Sequence, residues 1–167
     1  SSTTEVLYSF FGANRLPVAI ARPFNTYGPR QSARAVLPTI AVQLLSGAPR
    51  LKIGALDPVR DFNYVADTVA GFLAVARSPR AVGTDVNLGS GRGVTMREVL
   101  ERLIRGARRP LTIVADPTLF RAADIEHLVG DPTKIARETG FQPRYAIDET
   151  LEWVLSDWRA RVAAGAS

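Results

Sequence analysis

Apolar residues form two patterns along this chain: short unbroken runs, and longer segments in which they recur at helical spacing. Residues 18–21 are an unbroken apolar run, which is typical of a strand buried on both faces of a parallel sheet. Val69, Phe72 and Leu73 recur at the spacing of one helical face. The same reasoning predicts strands over residues 18–21, 51–53, 61–65, 85–88 and 111–114, and helices over residues 3–14, 36–46, 66–77, 95 onward, 131–140 and 147–163.

The order of these elements indicates an α/β fold. A predicted strand enters the glycine-rich segment 89–93, and Thr95 with Glu98 then has the pattern of a helix capping box. We interpret the glycines as a turn, because their spacing is not that of a dinucleotide-binding loop. The predicted elements begin with a helix and then a strand, so we expect that strand to stand at a sheet edge with nothing upstream, as in the back half of a larger α/β protein.

Composition limits the chemistry that the chain can perform. At 167 residues and 46% hydrophobic content it can form one domain with a sizeable core. The absence of Cys and the single His exclude disulfides, thiolate zinc sites and a Cys nucleophile, and leave no ordinary His-based metal cluster. No apolar stretch approaches the roughly 20 residues of a membrane helix, so we expect a soluble, cytoplasmic protein without a membrane partner.

The formal charge of +5, from 21 Lys and Arg against 16 acidic residues, favours an anionic partner. The cations are not clustered in a long run, and aromatic residues are not interleaved with them as in single-strand binders. We therefore expect a small phosphorylated ligand rather than nucleic acid. A merely solvated basic surface is the alternative.

The segment 22–30 carries the clearest candidate chemistry. It follows a predicted buried strand, at the edge where open α/β sheets bind ligands. Asn25 offers both a donor and an acceptor, whereas Arg22 and Arg30 can hold phosphate oxygens in a fork. An Arg- and Pro-rich turn without a ligand is the alternative.

Four motifs in order along the chain resemble those of the extended short-chain dehydrogenases/reductases, the NAD-dependent epimerase/dehydratase family. Segment 22–30, RPFNTYGPR, resembles the R-P-x-N-x-Y-G-P signature of members that act on nucleotide sugars. The others are RDFNYVAD at 60–67, VNLGSG at 86–91 and RAAD at 121–124, and the tail from 131 to Trp153 is also similar. The resemblance implies the C-terminal portion of a Rossmann-like protein, with the last sheet strands and a small mixed α/β substrate-binding domain.

The resemblance also implies roles for particular residues. Asn25 would contact the sugar nucleotide, and Arg60 and Arg121 would clamp its diphosphate from two sides. Pro23 and Phe24 would lie along the nicotinamide side of the cleft. The remaining candidates for substrate binding are Arg34 and Val36, in a segment that lines the base in related proteins, and Asn87.

Structural alternatives exist for several of these residues. Arg60 could form a surface salt bridge to Asp57 or Asp61, and Arg121 could form a local ion pair with Asp124 or Glu126. Asn87 is expected to occupy the turn for backbone reasons. For Asp67, at the start of a predicted helix, structural capping is the better interpretation.

The resemblance implies a division of the chain in which residues 1–33 end an NAD(P)-binding Rossmann domain. Residues 34–167 would form the sugar-nucleotide-binding region, with residues 60–92 crossing back to the Rossmann sheet. The family's glycine-rich cofactor loop and its Tyr-x-x-x-Lys pair are not found in the sequence. We therefore expect no hydride transfer by this chain alone.

Segments 29–40 and 54–64 look closest to the UDP-N-acetylglucosamine 4,6-dehydratases of the legionaminic-acid type of pathway. The implied parent enzyme uses NAD to oxidise C4 of a UDP-sugar, loses water across C5 and C6, and returns the hydride; such enzymes usually form homodimers. A 4-epimerase, a stand-alone nucleotide-sugar-binding module, and a reductase without a diphosphate clamp remain open alternatives.

Overall fold

The computed structural model describes residues 5, 9, 12–13, 16–47, 49–108, 111–119 and 125–165. Within them the strands are β1 Ile20–Pro23, β2 Asn25–Tyr27, β3 Arg50–Ile53, β4 Val59–Tyr64, β5 Asp85–Leu88, β6 Gly93–Thr95, β7 Thr112–Ala115 and β8 His127–Leu128. The helices are α1 Val36–Leu45, α2 Val65–Arg77, α3 Met96–Ala107, α4 Thr133–Thr139 and α5 Ile147–Ala163, with single 3₁₀ turns at Pro79–Ala81 and Pro117–Leu119.

The described strands form three small sheets. Strands β1 and β5 pair in parallel, and so do β3 and β7. In the third sheet, β4 pairs in parallel with β2 and with β8, and antiparallel with β6. This alternation of mostly parallel strands with helices confirms the predicted α/β fold class.

Three short strands were not predicted. Strand β2 falls within segment 22–30, after the predicted strand 18–21, and β6 and β8 were missed as well. With three residues or fewer and partly polar composition, such strands carry no detectable period of two. Of the predicted helix 3–14, the structure describes residues 5, 9, 12 and 13, which are helical; the rest lies outside the described residues.

Two hydrophobic cores hold these elements together. Helices α1, α3 and α5 pack around the larger core, in which Trp158 of α5 is fully buried. The smaller core lies between α2, α4 and the β1–β5 sheet, with Val86 and Ile135 among its members. A membrane-spanning segment is not found among the described helices, since none combines the necessary length with sufficient apolarity.

The apolar face predicted for α2 does not face a core. Val69, Phe72 and Leu73 are 52%, 43% and 48% exposed. The helix instead packs through Gly71, where an added Cβ would lie 2.1 Å from Leu88 Cδ2. The buried side of α2 consists of Asp67, Thr68, Gly71 and Val75.

Asp67 is structural, but it does not cap its own helix. Tyr64 is the N-cap of α2 and makes no side-chain capping bond. The buried Asp67 carboxylate accepts backbone N–H groups from Arg144, at 3.0 and 3.1 Å, and from Tyr145, at 3.0 Å. It thus fastens the segment that precedes α5 to the start of α2.

The capping box at the start of α3 is confirmed. Thr95 Oγ1 accepts the Glu98 N–H at 3.1 Å, and Glu98 Oε2 accepts the Thr95 N–H at 2.7 Å. The Thr95 N–H and the Thr95 hydroxyl, which lies 2.9 Å from Glu98 Oε2, lower the pKa of the Glu98 carboxyl because both donate to its charged form.

We expect Thr95→Ala to lower the free energy of unfolding by about 1 kcal/mol, because the substitution leaves the Glu98 N–H without its acceptor. Urea denaturation checks this. Thr95→Ser is the matched control, since it keeps the hydroxyl and should remain close to the wild type. Equal losses of unfolding free energy in Thr95→Ala and Thr95→Ser would show that the Thr95 methyl group, and not its capping hydroxyl, stabilises the protein.

Candidate functional site

A cavity of about 590 Å³ opens between helix α1 and the strands β2, β3 and β4. Its size lies within the range of small-molecule binding sites. We call it the α1 cavity. It is lined by Asn25, Thr26, Tyr27, Gln31, Arg34, Ala35, Val36, Leu37, Thr39, Ile40, Gln43, Lys52, Ile53, Gly54, Ala55, Pro58, Arg60, Phe62, Met96 and Leu119.

Asn25 and Arg60 reach this cavity from neighbouring parallel strands. Asn25 of β2 is paired with Phe62 of β4, two residues beyond Arg60. The Nδ2 atom of Asn25 is buried and has no hydrogen-bond partner within the described part of the chain. An unsatisfied buried amide donor in a cavity wall is costly unless a ligand accepts its hydrogen bond.

The charge of the cavity wall is positive. Arg34, Lys52 and Arg60 line it, and none of the described lining residues is acidic. Such a lining favours an anion, and the guanidinium groups suit phosphate oxygens because they can donate two parallel hydrogen bonds. The sequence analysis missed Lys52. The only signal was its position in β3, where it lies exposed between the buried Leu51 and Ile53.

The Arg60 side chain is oriented by main-chain acceptors. Its Nη1 donates to the carbonyl oxygens of Val59, at 2.9 Å, and Ile125, at 2.5 Å. The two acids considered as salt-bridge partners have other contacts: Asp57 forms an ion pair with Arg97 at 3.1 Å, and Asp61 binds main-chain amides.

Asp61, the second residue of the RDF motif, holds the strand that carries Arg60. Its carboxylate is fully buried and accepts main-chain N–H groups from Ser90 at 2.9 Å, Gly91 at 3.0 Å and Gly130 at 3.1 Å. The Ser90 hydroxyl, at 2.6 Å, and Asn63 Nδ2, at 3.1 Å, also donate to it. The turn after β5 and the segment after β8 are therefore bound to β4 at one point.

Tyr27, the tyrosine of the NTYGP segment, connects the cavity wall to helix α5. Its hydroxyl hydrogen-bonds Thr150, and its ring is 2% exposed. Burial raises the pKa of Tyr27 to about 12, because the charged phenolate would lose solvation. Tyr27 is thus a neutral packing residue at physiological pH.

The remaining predicted site residues divide into two groups. Arg34 and Val36, on either side of the start of α1, line the α1 cavity with Asn25 and Arg60. Pro23, Phe24 and Asn87 are not among its lining residues.

The position of this second group follows from the sheet pairing. Asn87 lies in strand β5 opposite Arg22, as the predicted strand over residues 85–88 requires, and not in the turn that follows. Pro23 is exposed at the end of β1. The Phe24 ring packs against Gly130, where an added Cβ would lie 2.7 Å from its Cε2 atom.

Arg121 lies outside the described residues, so the clamp by Arg60 and Arg121 remains a prediction. The cations that the structure does place around the cavity are Arg34, Lys52 and Arg60. Within the described ranges, no group of three or more His, Cys, Asp or Glu side chains is arranged to hold a metal ion.

Comparison with known proteins gives consistent matches over most of the chain. Residues 2–154 match the family model described as GDP-mannose 4,6 dehydratase. GDP-6-deoxy-D-mannose reductase of Pseudomonas aeruginosa is 35% identical over 150 residues, which are 87% of this chain and 49% of that protein. A dTDP-glucose 4,6-dehydratase of Actinoplanes is 30% identical over 142 residues, 83% of this chain and 44% of that protein.

The fold also matches solved structures. The structure of RMD from Pseudomonas aeruginosa, complexed with NADPH, superposes with a TM-score of 0.86 at 30% identity, over 94% of this chain and 53% of that one. The predicted Rossmann-like architecture is therefore confirmed. The chain spans about half the length of the curated relatives that it matches.

Proposed function

Because the chain belongs to the GDP-mannose 4,6 dehydratase family, we propose that its α1 cavity binds the diphosphate of a nucleotide sugar. The single observation that carries this proposal is the cavity wall itself. It combines Arg34, Lys52 and Arg60 with the unpaired buried Nδ2 of Asn25, and its described lining contains no carboxylate.

A diphosphate suits this wall for electrostatic reasons. Its oxygens only accept hydrogen bonds at neutral pH, and the four groups named above all donate. Charge-assisted bonds of this kind are the stronger class in proteins. The names of the two relatives, a GDP-sugar reductase and a dTDP-sugar dehydratase, share the nucleotide-sugar substrate.

For the intact protein we propose a nucleotide-sugar 4,6-dehydratase, in which NAD would accept and return the hydride. Pro23 and Phe24, at the carboxyl end of β1, fit the edge of a nicotinamide site, because Pro23 presents exposed apolar surface there. Their part would be packing, since neither side chain carries a polar group. A GDP-sugar reductase is the second candidate, favoured by the relative that is 35% identical.

The identity of the nucleotide base in the substrate is a separate question. Segments 29–40 and 54–64 resemble enzymes of UDP-N-acetylglucosamine, whereas the relatives' names contain GDP and dTDP. Titration of the chain with UDP, GDP and dTDP distinguishes these bases directly.

We expect at least one of the three diphosphates to bind in isothermal titration calorimetry without NAD. The corresponding monophosphate should bind about tenfold more weakly, since it lacks one phosphate of charge-assisted contacts. Raising the salt concentration should weaken binding of the diphosphate more than of the uncharged nucleoside. A folded sample that binds none of the diphosphates, or that binds monophosphate and diphosphate equally, would refute the proposal.

A further inference from the structure

Gln31 presents a second unsatisfied amide group in the wall of the α1 cavity. Its Nε2 donates to the Thr26 carbonyl at 3.1 Å, and this bond fixes which way the amide faces, because a carbonyl can only accept. The Oε1 atom is then buried and has no hydrogen-bond partner among the described residues. Neither the family motifs nor the charge pattern assigns a role to this side chain.

The backbone that carries Gln31 is held in an uncommon conformation. Arg30 has φ of 64°, in the left-handed region that residues other than glycine seldom adopt. Strained backbone of this kind persists only where surrounding contacts impose it, and it concentrates at binding sites.

Helix α5 supplies those contacts. Asp157 Oδ2 accepts the Arg30 N–H at 3.2 Å, and Arg161 Nη1 donates to the Gln31 carbonyl at 3.2 Å. The Arg161 guanidinium in turn stacks over the ring of Trp158, with Cζ 3.8 Å from the ring centre. The peptide groups that precede Arg30 and follow Gln31 are thereby attached to one face of α5.

We propose that Gln31 is a recognition residue of the α1 cavity, whose Oε1 accepts a hydrogen bond from an N–H or O–H of the bound nucleotide sugar. Arg161 and Asp157 are positioning residues for it. The inference rests on the proposed function and deepens it. A diphosphate has no donor at neutral pH, so the partner of Oε1 lies on the sugar or on the nucleoside.

The polar groups of the α1 cavity are of two kinds, hydrogen-bond donors and a hydrogen-bond acceptor. The Arg34, Lys52 and Arg60 cations and Asn25 Nδ2 are donors, and they suit phosphate oxygens. Gln31 Oε1 is an acceptor and suits a hydroxyl or a ring N–H. A ligand that placed a phosphate against it would leave two acceptors facing each other, which gives Gln31 a part in setting the orientation of the substrate.

The test is Gln31→Met, which keeps nearly the same volume and removes the acceptor. Among UDP-N-acetylglucosamine, GDP-mannose and dTDP-glucose, we expect the variant to bind the ligand that the wild type prefers about tenfold more weakly, because a buried donor of the ligand loses its partner. Gln142→Met is the matched control. Gln142 is exposed and does not line the α1 cavity, so binding should stay unchanged.

The matching free diphosphate, UDP, GDP or dTDP, identifies which part of the ligand donates. If Gln31→Met weakens only the nucleotide sugar, the donor is a sugar hydroxyl; if it weakens both equally, the donor is on the nucleoside. Either result supports the proposal. Unchanged affinity for both the nucleotide sugar and its diphosphate in a folded Gln31→Met protein overturns the inference alone, whereas a wild type that binds none of the three nucleotide sugars and none of their diphosphates overturns the proposed function as well.

The positioning role has its own measurement. We expect Arg161→Ala to weaken binding of the same nucleotide sugar about threefold, while Arg159→Ala, whose guanidinium donates to the Gly106 carbonyl instead, leaves binding unchanged. Once Gln31→Met has removed the acceptor, Arg161→Ala should have little further effect on affinity, because both changes act through one contact. Fully additive losses of affinity in the double variant would show that Arg161 affects binding independently of Gln31 and would overturn its positioning role.

Discussion

Replacing Asp61 with Ala should lower the free energy of unfolding by about 3–5 kcal/mol, the largest stability effect that we expect from a single polar residue here. The substitution would leave the main-chain N–H groups of Ser90, Gly91 and Gly130 without their acceptor, around a carboxylate that is 0% exposed. Each buried donor without an acceptor costs about 1–3 kcal/mol.

Asp57→Ala is the matched control. Asp57 lies four residues earlier and forms an exposed ion pair with Arg97, its own side chain being 91% exposed. Pairs of this kind contribute about 0.5 kcal/mol or less. Urea denaturation followed by circular dichroism measures both variants, and Asp61→Asn should fall between them because it keeps one acceptor oxygen. A loss below 1 kcal/mol for Asp61→Ala would contradict the view that this carboxylate joins the three segments.

The elements with a strong hydrophobic period could be predicted from the sequence, whereas contacts made by single polar residues could not. The capping box of Thr95 and Glu98 spans four residues and follows from local pattern alone. Asp61, by contrast, binds partners 29, 30 and 69 residues away. Nothing in the spacing of Ser90, Gly91 or Gly130 indicates that their amides meet one carboxylate.

In the candidate site, too, some residues could be identified from the sequence and others could not. Motif resemblance indicated Asn25, Arg34, Val36 and Arg60, and the structure places all of them around one cavity. Gln31 could not be identified, because its role depends on a hydrogen bond that fixes its amide and on a helix 130 residues further along the chain.

The apolar face of α2 was predicted correctly as a face, and in the described structure it is exposed. Helical spacing indicates which residues share a face, but it does not say which face is covered. Gly71 lies on the buried side of α2, where it lets Leu88 approach the helix more closely than a larger residue would allow, whereas Phe72 is 43% exposed. Burial depends on such tertiary contacts, which the periodicity does not contain.

Arg60→Ala should weaken binding of the preferred nucleoside diphosphate by about 10- to 100-fold, the largest effect on binding that we expect. Arg60 lies in the middle of the third sheet, the one formed by β2, β4, β6 and β8. In β4 it is paired with Val94 of β6 on one side and with Leu128 of β8 on the other. Its guanidinium is oriented by the carbonyls of Val59 and Ile125, so little conformational entropy remains to be lost when a phosphate binds.

Two variants separate charge from geometry at this position. Arg60→Lys keeps the positive charge but not the planar fork, and we expect an intermediate loss because an ammonium group cannot donate two parallel bonds to one phosphate. Arg97→Ala removes an arginine of the same region that does not line the α1 cavity, so calorimetry should give the wild-type affinity. If Arg60→Ala retained binding within twofold while unfolding like the wild type, the phosphate would have to lie against Arg34 and Lys52 instead, at the α1 side of the cavity.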